Sequence, residues 1–235
     1  MNKFTGDPIG KAILDYAKNR KPEDIIVSSE ICEDDIIPVE VLFRKFEEMP
    51  ELEKVALQRA KGKVLEVGAG AGVHAMEMMD NGLEVYAIDH SAGAVSHMKE
   101  KGIQAEKIDF FDFKGKKFDT ITMLMNGIGI AGTLANLEQT LLHCKSLLNE
   151  GGKILCDSSD IKYLYEDEDG ALWVDLNSEY YGNFRFQMKF KGEIGPWFDW
   201  LYVDFDNLFQ VAKKCGMKAS RVFEKDDNYL AEITF

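Results

Sequence analysis

From residue 63 to 157, short apolar runs alternate with stretches whose apolar residues recur every three or four positions. The runs KVLEV (63–67), EVYAID (84–89), AEKID (105–109), DTITML (119–124) and KILCD (153–157) predict strands buried on both faces. Helical periods lie between them. The clearest puts Leu134, Leu137, Leu141, Cys144 and Leu148 on one stripe and stops at Gly151 and Gly152. Such alternation, with right-handed crossovers, makes an α/β fold: a doubly wound, mostly parallel sheet with helices on both faces.

The flanks follow other rhythms. The first 60 residues predict helices with irregular joints, a helical lid set apart from a main domain at 61–235. Asp7 caps a first helix and Pro8 occupies its first turn, ahead of Ile9, Ala12, Ile13, Tyr16 and Ala17. A second helix is predicted over 38–47. A third opens at Pro50, runs through Leu52, Val55, Ala56 and Arg59, and closes at Gly62. After 157 the strict alternation of FRFQMKFK (184–191) puts Phe184, Phe186, Met188 and Phe190 on one face. With GEIGP turning it and WFDWLYV returning, it predicts an antiparallel hairpin within an insertion at 158–203. A helix over 204–216 and two strands near 217–224 and 228–235 finish the pattern.

The chemistry concentrates after the first core strand, in VLEVGAGAGVHA (64–75). Alternating glycines behind a strand let backbone approach a nucleotide closely. Gly70, Gly72 and Ala75 satisfy the dinucleotide fingerprint, and Asp89 lies 19 residues beyond Gly70, near the place of a ribose-binding acid. One register earlier the same residues read Glu66-Val-Gly68-Ala69-Gly70-Ala-Gly72. In that reading the chain resembles the class I S-adenosylmethionine-dependent methyltransferases over roughly 61–157, and over 204–235 in layout. The C-terminal strand pair is similar to the reversed hairpin that closes their seven-stranded sheets.

The resemblance implies S-adenosylmethionine as cofactor. It implies that Gly68, Ala69 and Gly70 form the cofactor turn, and that Glu66 contributes to recognition. Asp89 would accept from both ribose hydroxyls, a task suited to a carboxylate, with His90 packing beside the ribose. Asp109 would accept from the adenine amino group while Phe110 offers its N–H and ring. Met125 would lie near the methionine half. Asn126 follows in Asn126-Gly127-Ile128-Gly129, where relatives that methylate planar amino groups carry Asn/Asp-Pro-Pro-aromatic. That departure argues against adenine-N6 or glutamine chemistry, and Asn126 is left to orient an acceptor or to stabilise a turn.

The insertion is where an acceptor pocket is expected. Residues 158–183 hold seven acids (Asp160, Glu166, Asp167, Glu168, Asp169, Asp175 and Glu179) against Lys162 alone, so the local balance is strongly negative. Tyr163, Tyr165, Trp173, Tyr180 and Tyr181 are interleaved with them, and Trp197 and Trp200 follow. Aromatics among acids can line a pocket for an amine or other cation; Tyr181 and Trp200 are the candidate acceptor residues. Arg44 stands between two phenylalanines in FRKF and reads as a surface arginine, and His74 as structural.

Charge narrows the partners. The chain has 28 basic and 41 acidic residues, a formal charge of −13. Phosphate backbones are repelled, so a small neutral or cationic acceptor is expected rather than nucleic acid. No apolar stretch approaches the roughly 20 residues of a membrane span, and the opening residues lack a signal-peptide core, which predicts a cytoplasmic protein without membrane contact. Cys32, Cys144, Cys156 and Cys215 are scattered, and the four histidines have no ligand spacing, so no metal is expected. The reading is methyl transfer to a small molecule by in-line displacement at a sulfonium, with no catalytic base identified. An NAD-binding oxidoreductase and a non-catalytic cofactor-binding module are the alternatives.

Overall fold

The computed structural model describes residues 6–21, 23–165 and 179–235. Helix α1 (Pro8–Asn19) starts as expected: Asp7 Oδ1 accepts from Gly10 N at 2.8 Å. Its start is docked, because Asp7 Oδ2 also accepts from Ser91 Oγ and Gly93 N. Gly93 has no room for a side chain there; a β-carbon would lie 2.5 Å from the Gly10 backbone.

The next elements depart from the helical expectation. Residues Asp24–Ser29 and Asp35–Pro38 are antiparallel strands, β1 and β2. The β-branched runs Ile25-Ile26-Val27 and Ile36-Ile37 suit a pleated surface better than a helix. The helix predicted over 38–47 is two short 3₁₀ turns, Val39–Phe43 and Phe46–Glu48, broken where Arg44 and Lys45 are extended. That break lets the Arg44 side chain turn inward. Helix α2 (Glu51–Arg59) begins behind Pro50, as the sequence predicts.

The core then alternates as read: β3 (Lys63–Val67), α3 (Val73–Asp80), β4 (Glu84–Asp89), α4 (Ala92–Glu100), β5 (Gln104–Lys107), β6 (Phe118–Met123), α5 (Leu137–Leu147) and β7 (Leu148–Ser159). The insertion forms the hairpin β8 (Asn183–Phe190) and β9 (Glu193–Leu201). Helix α6 (Phe205–Lys214) and the antiparallel pair β10 (Lys218–Lys225) and β11 (Asn228–Thr234) follow.

Seven strands form the main sheet in the order β10-β11-β7-β6-β3-β4-β5. Strands β3 to β7 run parallel, and β11 is antiparallel to β7. Val64 and Leu65 are both fully buried yet pack into clusters on opposite faces, as a doubly covered sheet requires. Cys144 and Cys156 are buried as small core residues. A second, antiparallel sheet has the order β2-β1-β8-β9. It joins the N-terminal segment to the insertion, with Val27 opposite Met188 and Ser29 opposite Phe186. No described helix is long and apolar enough to cross a membrane.

Candidate active site

The turn after β3 uses its glycines for two purposes. Gly68, Gly70 and Gly72 have φ of 68°, 56° and 79°, values that other residues rarely adopt. A β-carbon on Gly68 or Gly70 would meet nothing within 4 Å, whereas one on Gly72 would lie 2.6 Å from Ile103 Cδ1. The first two therefore border open space where a ligand could pass against the backbone. The third is required for packing against the sheet's helical cover. Gly68 N and Ala69 N both donate to Ile88 O, which ties the turn to β4.

Asp89 ends β4 and faces this turn. Its Oδ2 accepts from Gly70 N and its Oδ1 from Ser91 N, each at 2.8 Å. It is 8% exposed, and burial raises its pKa. His90 beside it is exposed, with Nδ1 3.7 Å from Asp89 Oδ1. Behind the end of β5, Asp109 is exposed, and its Oδ1 accepts from Phe111 N. Phe110 is buried edge-on against His143, whose Nε2 lies 2.8 Å from Phe110 O.

A buried ionic chain runs behind the turn. Arg44 Nη2 donates to Glu53 Oε1. Glu53 Oε2 lies 2.8 Å from His74 Nε2, and His74 Nδ1 lies 3.4 Å from Glu66 Oε1. Burial pushes the His74 pKa down, but the two carboxylates overcome this and lift it to about 9, so the imidazole is charged at neutral pH. Burial raises the pKa of Glu66, and its Oε2 has no hydrogen-bond partner. That orphaned oxygen, on the residue two positions before Gly68, fits a ligand that brings a cation such as an α-ammonium group.

Beyond β6 the backbone is strained. Met125 and Asn126 are both left-handed, with φ of 64° and 56°. Asp157, near the end of β7, holds this turn by accepting from Asn126 N at 2.9 Å and Gly127 N at 3.3 Å. Burial pushes its pKa up to about 6. Ser159 Oγ lies 2.9 Å from Asn126 Oδ1 and 2.7 Å from Asn228 Oδ1. One hydroxyl has one hydrogen, so one of these amides must present its nitrogen instead.

Between the two sheets lies a cavity of about 610 Å³. Met125, Asn126 and Asp157 line it from the main sheet, and Arg44 and Glu53 from the N-terminal segment. The second sheet contributes an apolar wall that includes Phe186, Met188, Phe198 and Trp200. Trp200 packs directly on the strained turn; a β-carbon at Gly129 would lie 2.2 Å from its Nε1.

The structure thus gathers Glu66, Gly68, Ala69, Gly70, Asp89, His90, Asp109, Phe110 and Met125 at the carboxyl ends of four adjacent parallel strands. Asn126 and Trp200 meet at the cavity. Tyr181 is not among its described lining residues; its hydroxyl lies 2.7 Å from Asp160 Oδ1. The acidic run Glu166–Asp169, Trp173 and Asp175 fall outside the described residues. Arg44, read as a surface residue, is part-buried, its side chain 11% exposed, and joins the ionic chain. Asp157 and Glu53 carried no functional reading in the sequence, although an acid ending the apolar run KILCD parallels Asp89 in YAID.

Residues 40–189 match a family described as a methyltransferase domain. The chain is 44% identical to an S-adenosylmethionine-dependent methyltransferase from Bacteroides fragilis, whose crystal structure holds S-adenosyl-L-homocysteine. The TM-score is 0.91, with 97% of this chain and 94% of that one covered. The CcbJ methyltransferase from Streptomyces caelestis, 15% identical, superposes with a TM-score of 0.60 over 80% of this chain and 94% of that one. The sugar N-methyltransferase KedS8 from Streptoalloteichus, 14% identical, does so at 0.55 over 87% and 96%. These last two share the fold. No curated protein matches the chain.

Proposed function

The chain belongs to the class I S-adenosylmethionine-dependent methyltransferases, and on that premise we propose that it methylates a small neutral or cationic molecule held in the cavity between its two sheets. S-adenosylmethionine supplies a methyl group already activated on sulfur. This chain's residues must bind both molecules, align them and exclude water. The donor rests on the glycine turn, with Asp89 and His90 on its ribose side and Asp109 and Phe110 on its adenine side. Glu66 and Met125 take its methionine half.

The observation that carries this reading is the junction at Met125 and Asn126. These two residues follow closely on the fourth strand of the parallel set and also line the cavity. An acceptor in the cavity would therefore lie beside the donor's methyl group. The N-terminal segment and the insertion supply the far wall, so they act together as the acceptor cover. The formal charge of −13 disfavours nucleic acid. Cys144 and Cys156, buried and free, are suited to a reducing cytoplasm.

Isothermal calorimetry tests the donor assignment: S-adenosylhomocysteine binds and NADH does not, and the reverse result would defeat it. The acceptor assignment is tested by Trp200→Ala. Its release of S-adenosylhomocysteine across a panel of small amines, alcohols and phenols is expected to fall at least about tenfold. Affinity for S-adenosylhomocysteine should change by less than about twofold. Unchanged turnover in the variant would remove the cavity from consideration.

A further inference from the structure

Resting on that reading of the cavity, we infer that the acceptor is an amine with an apolar body and that Asp157 is the group that holds its nitrogen. Asp157 is 7% exposed, and the described residues offer its carboxylate two backbone N–H groups and no ion-pair partner. A buried carboxylate without a counter-ion is costly, and a ligand cation relieves that cost. The cations of the ionic chain do not serve. Arg44 is committed to Glu53, and His74 lies between Glu53 and Glu66. Lys225, the last residue of β10, lines the cavity together with Asp226 of the following turn, Asp35 of β2 and Glu51 of α2.

The opposite wall settles the rest of the ligand. Phe186 and Met188 of β8 and Phe198 and Trp200 of β9 present apolar and aromatic surface to the same cavity. That surface suits a hydrocarbon or ring, and its aromatic faces attract a cation. A carboxylate acceptor would meet Asp157 and Glu53, both acids. An alcohol would leave Asp157 without a cation.

Asp157 also gives the proton a place to go. An amine that enters as an ammonium can pass one proton to a carboxylate oxygen of Asp157, leaving a neutral nitrogen with a free lone pair and a neutral acid. That proton returns to water when the product departs. A carboxyl lifted to about 6 by burial is ionised at neutral pH, and it accepts a proton more readily than an ordinary aspartate. His74 stays protonated, and Glu53, which burial pushes up, is pulled below its ordinary value by His74 and Arg44.

The probes are 2-phenylethylamine, 2-phenylethanol and phenylacetate, titrated by calorimetry into protein saturated with S-adenosylhomocysteine. The amine is expected to bind roughly ten- to hundredfold more tightly than the alcohol, and phenylacetate more weakly still. Asp157→Asn should abolish this preference while S-adenosylhomocysteine affinity is kept. Because that variant could loosen the 125–127 turn, the wild type supplies a second measurement. Amine affinity should fall about tenfold from pH 7 to pH 5 as Asp157 takes up a proton, with alcohol affinity unchanged. Equal binding of amine and alcohol, a preference that survives in Asp157→Asn, a flat pH profile, or no binding of any probe would each overturn the inference. Failure of S-adenosylhomocysteine itself to bind would instead defeat the donor assignment.

Discussion

Replacing His74 by leucine is expected to destabilise the protein by about 3–5 kcal/mol at pH 7.5, as measured by urea denaturation. The imidazole is the shared cation of two buried carboxylates, at 2.8 Å from Glu53 and 3.4 Å from Glu66. Glu53 keeps Arg44 when His74 is lost, but Glu66 keeps no cation among the described residues. A buried charge stripped of its partner carries the desolvation cost that the pair had offset. The wild type should show the same linkage through pH. The His74 pKa rises from 6.5 unfolded to about 9 folded, so the folded state binds the extra proton. Its contribution, on the order of 3 kcal/mol, is fully present below pH 6.5 and is lost as pH rises through 9. The leucine variant should lack that slope. A loss under about 1 kcal/mol, or a wild-type stability that is flat from pH 6.5 to 9, would mean that the chain is not ionic.

The parts of this architecture that depend on burial were legible in the sequence. The runs at 63–67 and 84–89 are strands residue for residue, because five and six residues between turn-forming neighbours make the length of a strand and fall short of a helix. FRFQMKFK became β8, and two of its inward residues, Phe186 and Met188, line the cavity. Two kinds of feature were not legible. Strand β1 pairs with β8 across more than 150 residues of chain, so no local signal announces that sheet, and its short apolar runs were absorbed into a helical reading. Arg44 and Glu53 look like surface charges in sequence, since isolated charged residues usually are. Only the fold brings the part-buried Arg44 into line with the buried Glu53, His74 and Glu66, drawing on an extended break, two helices and a strand end.

The same strand ends set the second large effect. Asp89→Ala is expected to weaken S-adenosylhomocysteine binding by about 2–3 kcal/mol, roughly 30- to 150-fold. The expectation rests on acceptor capacity. An ionised carboxylate has about four lone-pair sites, and here two of them are occupied, by Gly70 N and Ser91 N. The remaining two can accept from the 2′ and 3′ hydroxyls of a ribose lying along the open face of Gly68 and Gly70. Asp89 is buried rather than at an exposed strand end, and its bond to Gly70 helps to shape the glycine turn. Some of the lost affinity could thus come from a relaxed turn, and a second ligand separates the two causes. With an analogue lacking both ribose hydroxyls, the wild type should already bind weakly, and Asp89→Ala should cost less than about fivefold more. If the substitution costs the analogue as much as the natural ligand, Asp89 acts through the turn and not on the ribose. If affinity is unchanged for both in a folded variant, the donor does not sit on this strand end at all.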